Sequence, residues 1–209
     1  MRFADDAKLA ALRAQVHAEL AASPRARPWW VGALVLMAFN LVAAACAVLT
    51  LSSNAAFAKN PAARLAITMG LLLVMGAGAL LGLRPGRQAP RVAMVAVTAS
   101  VLALAWLMNS GSRLEGPFWA GTSCAATEGL VSLVPLMTGL VLLTRFGFDP
   151  LRTVVIGIST AGVGLLALHL HCPNGAWEHL ATFHALPWAM MIAVLFVVRR
   201  ALPSKTFAP

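Results

Sequence analysis

Cys124 and the segment His169-Leu170-His171-Cys172-Pro173-Asn174-Gly175-Ala176-Trp177-Glu178-His179-Leu180-Ala181-Thr182-Phe183-His184 hold the residues best able to do chemistry in this chain. The segment carries four of the five histidines and one of the three cysteines. Thiolate and imidazole suit zinc, cadmium or copper, so Cys124, Cys172, His169, His171, His179 and His184 form a candidate redox or metal sensor. Glu128 and Glu178 are accessory carboxylates for it. The spacing matches no zinc finger: there is no CxxC pair, and His179 to His184 is a five-residue step, where four would stack both rings on one α-helical face. A disulfide between Cys124 and Cys172, a pair of free thiols and a metal site are all open states of the two cysteines. Cys46, inside an apolar run, reads as a small filler.

The rest of the chain is the frame for these groups. Of its 209 residues 60% are hydrophobic and 11% charged, far from the roughly 25% charged of a soluble domain. The chain is expected to be an all-α polytopic membrane protein. Six apolar segments are each long enough to cross: about 30–52, 63–83, 91–109, 126–145, 151–170 and 180–198. They are separated by Pro- and Gly-bearing breaks such as Asn60-Pro61, Arg84-Pro85-Gly86 and Asp149-Pro150. His184 and Pro187 make the start of the sixth the weakest of these readings. Gly78 with Gly82, and Gly157, Gly162 and Gly164, predict close helix packing, and Pro135 predicts a kink in the fourth segment.

Charge sets the orientation. Thirteen of the sixteen basic residues fall on one side of a six-crossing topology, which places both termini in the cytoplasm and the histidine-rich junction outside. The net charge of +9 is explained by this bias, without direct nucleic-acid binding. The organisation is therefore residues 1–28 as a cytoplasmic amphipathic segment, 29–200 as the six-helix bundle and 201–209 as a cytoplasmic tail. No cleavable signal is expected, because Asp5, Asp6 and Glu19 precede an apolar run longer than a signal core. In the N-terminal segment Leu9, Leu12, Val16 and Leu20 recur as one narrow helical stripe. Such a stripe either lies on the bilayer surface or docks a cytoplasmic partner.

Catalysis and transport find less support. A thiol-quinone oxidoreductase would want a CxxC pair, and a coupled carrier would want ionisable groups deeper in the helices than Glu128. A metal-dependent intramembrane hydrolase could use Glu128 or Glu178 beside the histidines. The alternative reading is thus a metal-binding hydrolase or transporter, and the preferred one is not an enzyme.

Cys124 before the fourth crossing, His171-Cys172-Pro173, His184 and Pro187-Trp188 together resemble the bacterial six-helix membrane anti-sigma factors of the negative-regulator-of-sigma-F type. The resemblance covers the outer ends of crossings four to six and the overall topology. It implies an inner-membrane protein that holds an extracytoplasmic-function sigma factor through its N-terminal segment and releases it under stress. It also implies that Cys124 and Cys172 are the sensing cysteines, with His184 an accompanying position. A related group of such factors answers to light or singlet oxygen. Beyond the bilayer and the sigma factor, no partner or cofactor is implied with certainty; zinc at the outer cluster is the candidate metal.

Overall fold

The computed structural model describes residues 8, 10–16, 28–51, 61–86, 88–109, 120–172 and 174–204. Among them every regular element is helical. We number the helices α1 (Trp29–Thr50), α2 (Pro61–Leu83), α3 (Ala89–Asn109), α4 (Ala120–Leu143), α5 (Pro150–His171) and a compound α6. Helix α6 is α-helical over Trp177–Leu180, π-helical over Ala181–Ala185 and α-helical again over Leu186–Ala201. The six apolar segments of the sequence correspond to these six helices. Five are long and apolar enough to span a bilayer, and Ala89–Ala103 is a shorter apolar stretch of α3. This is the architecture of a polytopic helical membrane protein.

Helix α5 is the centre of the bundle. Of its apolar window 83% is buried, against 39% or less in the other four spanning helices, and α1, α2, α3, α4 and α6 all pack on it. Its sequence explains this position. A run containing Gly157, Ser159, Thr160, Ala161, Gly162 and Gly164 keeps the helix thin, so neighbouring backbones approach closely. Any side chain at Gly82 would strike Ile156, and one at Gly164 would strike the backbone and side chain of Glu128. Small residues thus set the packing distance.

Hydrogen bonds fix the neighbours laterally, where burial makes an unmet polar group costly. Asn40 Nδ2 on α1 donates to Ser159 Oγ at 3.1 Å, and Ser159 Oγ donates to the Met75 carbonyl of α2 at 2.6 Å. On α4, Ser132 Oγ donates to the Ala161 carbonyl at 3.3 Å and accepts from the Gly164 amide at 3.1 Å. Pro135 lies within an unbroken α4.

At one end of the bundle two buried arginines tie helix ends together. Arg91, at the start of α3, bonds the Leu81 and Arg84 carbonyls at the end of α2 and pairs with Asp149 at 2.6 Å. Asp149 also caps α5 by accepting from the Arg152 amide at 3.1 Å. Arg199 of α6 donates to the Leu143, Phe146 and Leu202 carbonyls and to Ser204 Oγ. Sequence reading counted Arg91 and Arg199 only as charges that set orientation. Both are in fact almost fully buried fasteners. Helix α1 enters beside them through Trp29, which packs on the cluster of Leu83, Leu142, Leu143 and Leu195.

Candidate functional site

The opposite end gathers the thiols and imidazoles. Cys124 lies in the second turn of α4, Cys172 follows the last residue of α5, and His179 and His184 flank the start of the π-turn in α6. The chain between α5 and α6 is shaped locally. The Cys172 amide still bonds the Leu168 carbonyl at 2.7 Å, and Asn174 Oδ1 then accepts from the Ala176 amide at 2.9 Å, turning the backbone into α6.

The five-residue step from His179 to His184 does not part the two rings. In an α-helix it advances about 140° beyond a full turn and would part the rings. Here the Leu186 amide bonds the Ala181 carbonyl, an i→i+5 link that widens the turn and restores both rings to one face. Their centroids are 5.2 Å apart. Pro187 supplies a physical reason: it cannot donate to the Phe183 carbonyl and its ring would crowd that group in a regular α-helix. The Phe183 ring lies tilted beside His179, centroids 5.2 Å apart, and seats against Gly121 of α4. Any side chain at Gly121 would occupy the space of the Phe183 ring, so α4 approaches the π-turn only because position 121 is glycine.

The ligand atoms of Cys124, Cys172, His179 and His184 all lie within 4.8 Å of one another. Cys124 Sγ stands 3.8 Å from Cys172 Sγ, which stands 3.3 Å from His179 Nε2. Both cysteines are thiols. In a tetrahedral zinc site with bonds of about 2.3 Å to sulfur and about 2.0 Å to nitrogen, sulfurs stand about 3.8 Å apart and sulfur and nitrogen about 3.5 Å apart. The four groups are therefore already near the spacing that a metal would impose. His184 is buried and its Nε2 has no hydrogen-bond partner among the described residues. The adjacent Cys124 sulfur, and after it burial, push the Cys172 thiol above its ordinary range.

The other sequence candidates fall outside this tetrad. His169 is within hydrogen-bonding distance of the Arg64 carbonyl at 3.4 Å, while Arg64 donates to the Leu170 carbonyl, so this histidine helps join α2 to the end of α5. His171 is half-buried on the last residue of α5 and is not among the four convergent ligands. Glu178 is exposed. Glu128 is fully buried one turn along α4 from Cys124, and neither carboxylate oxygen has a hydrogen-bond partner among the described residues. Cys46 is exposed on α1, not packed inside the bundle as a filler. In the N-terminal stripe, residues 10–16 are helical with Leu12 and Val16 exposed; Leu9 and Leu20 lie outside the described residues.

These features define the class: a polytopic, all-α membrane bundle with a Cys2His2 cluster where its fourth, fifth and sixth helices meet. Comparison with known proteins gives the particular family. The chain is 31% identical over 209 residues to carotenogenesis protein CarR of Myxococcus xanthus, an alignment that covers 98% of this chain and 92% of that protein. The chain belongs to the CarR family. No protein-family model matches it, and no solved structure matches it significantly.

Proposed function

We propose that this chain is a membrane-bound anti-sigma factor of the bacterial inner membrane. Its N-terminal segment holds an extracytoplasmic-function sigma factor on the cytoplasmic side, and the Cys/His site on the outer side controls the release. The observation that carries this reading is the convergence of Cys124, Cys172, His179 and His184 at the end of the bundle opposite Trp29, where the N-terminal segment enters α1. The cluster and Trp29, the residue at which α1 begins, thus lie at opposite ends of the bundle. Family membership with a carotenogenesis protein and the resemblance to negative regulators of sigma F support it, and pigment formation is an output to examine.

The same cluster favours a regulator over a hydrolase. Catalytic zinc keeps one position for water, whereas two thiolates and two imidazoles supply all four ligands of a closed site. Zinc is the metal that these groups suit best. Moving a bundle from nearly all bound to nearly all released takes about 5.5 kcal/mol of preference. A thiolate–zinc site, worth about 10 kcal/mol or more in small domains, can supply it.

The test is capture of the sigma factor by the full-length protein, compared with Leu12→Glu combined with Val16→Glu. The intact protein is expected to co-purify with a small sigma factor, and the double variant to lose it while remaining in the membrane. Co-purification with no sigma factor in either form would overturn the proposal.

A further inference from the structure

Cys124 and Cys172 are close enough to serve a single metal ion, and equally close enough to react with each other. The two outcomes exclude one another, because zinc is held by thiolate sulfur and a disulfide has none to offer. We propose that the site is an oxidant-labile metal switch, in which a hydroperoxide converts the two zinc-bound thiolates into a Cys124–Cys172 disulfide and expels the metal. The inference rests on the metal reading of the site given above.

The two sulfurs have different roles. Cys124 is half-exposed and Cys172 is buried, so Cys124 is the sulfur that an oxidant reaches. Its thiolate attacks the outer peroxide oxygen, the O–O bond breaks, and the remaining alkoxide or hydroxide takes a proton from water. The resulting sulfenic acid is then attacked by the Cys172 sulfur 3.8 Å away. The S–S bond forms and hydroxide leaves to take a second proton. Two thiolates have together lost two electrons, and the peroxide has taken up two electrons and two protons to become water and an alcohol, or two waters. Zinc departs as the hydrated ion, since His179 and His184 alone are half of its ligand set.

The structure also shows what the loss would release. His184 is buried with its ring beside that of His179, and the π-turn brings the two rings to the site shared with Cys124 and Cys172. Loss of the metal would leave the wide turn without an ion shared by side chains from α4, the end of α5 and α6.

The experiment uses the full-length protein, reduced and placed in lipid nanodiscs without oxygen. Zinc is added and bound metal is counted; hydrogen peroxide is then titrated while released zinc, thiols and the Cys124–Cys172 disulfide are followed. One zinc per chain is expected, with two thiols lost for each zinc released, and reductant plus zinc should restore the starting state. Cys46→Ser should behave as the parent, while Cys172→Ser and His184→Ala should each bind zinc at least tenfold more weakly. Zinc retained after the disulfide has formed, or zinc released with both thiols intact, would overturn the switch and leave the metal site standing. Failure of the reduced protein to bind zinc would overturn the metal reading together with the switch. Neither result depends on a sigma factor, so both are distinct from failure of the capture experiment.

Discussion

The two ends of the bundle are both polar and both buried, yet they are built from opposite chemistry. At the arginine end, Arg91 and Arg199 spend their donors on helix-end carbonyls, Asp149 and Ser204. Guanidinium remains charged at any pH a cell meets and has no redox chemistry. At the Cys/His end stand thiols and imidazoles, groups able to titrate, oxidise and bind metal, while His184 Nε2 and both Glu128 oxygens lack hydrogen-bond partners among the described residues. One end is a fastener whose state is constant. The other is able to change state, and this contrast would give the proposed sensor a fixed frame to work against.

Arg91→Met should give the largest effect and strain the comparison most. It leaves Asp149 without its cation and uncouples α2 from the cap of α5, at a cost of about 3 kcal/mol. Thermal unfolding in nanodiscs should show it as a marked fall in Tm, equal with or without zinc. A loss that zinc restored would mean that the two ends are not independent.

A smaller effect, with opposite signs for the two metal states, is expected from pH. The metal-free fold holds the Cys172 thiol protonated above the usual cysteine range. As pH rises past about 8.5 the unfolded chain ionises this group while the fold does not, so the unfolded state binds fewer protons and metal-free stability declines. Zinc binding instead releases protons from its ligands, so the stabilisation by zinc should grow as pH rises from 6 to 8. Unfolding of both forms from pH 6 to about 10 checks both halves of the prediction, and zinc stabilisation that stayed flat between pH 6 and 8 would exclude thiolate ligands.

His169→Ala should do least. It removes one long contact to the Arg64 carbonyl, worth about 1 kcal/mol, and should leave zinc affinity unchanged. A large drop in zinc affinity would extend the changeable end towards α2.

The helices were legible in the sequence because each apolar run has the length of a crossing and ends at Pro or Gly. The small residues that thin α5 were legible as well, though its central position was not: burial on every side depends on how five other helices pack around it. Of the six Cys and His candidates, four converge in space. Density along the chain marked six Cys and His residues, but His169 turns towards the start of α2 and His171 stands apart from the tetrad. The five-residue step between His179 and His184 argued against pairing as long as α6 was taken to be regular. Pro187, two residues beyond Ala185, was the signal that it is not. The arginine fasteners were hidden by the orientation rule, which counts bases without asking what their donors touch; their position at the first and last turns of apolar helices was the available clue.

The π-turn also makes the site sensitive to chain length. Relative to a regular helix, α6 carries one surplus residue between His179 and the proline. Deleting Ala185 would let the helix close to ordinary α geometry while keeping His179, His184 and the five residues of the step between them. That step would then advance about 140° beyond a full turn, and the two imidazoles would face different directions. Deleting Ala181 or Thr182 instead would shorten the step to four, which ordinary α geometry keeps on one face. In this part of the chain phase matters more than composition: what a deletion does depends on which side of His184 it falls.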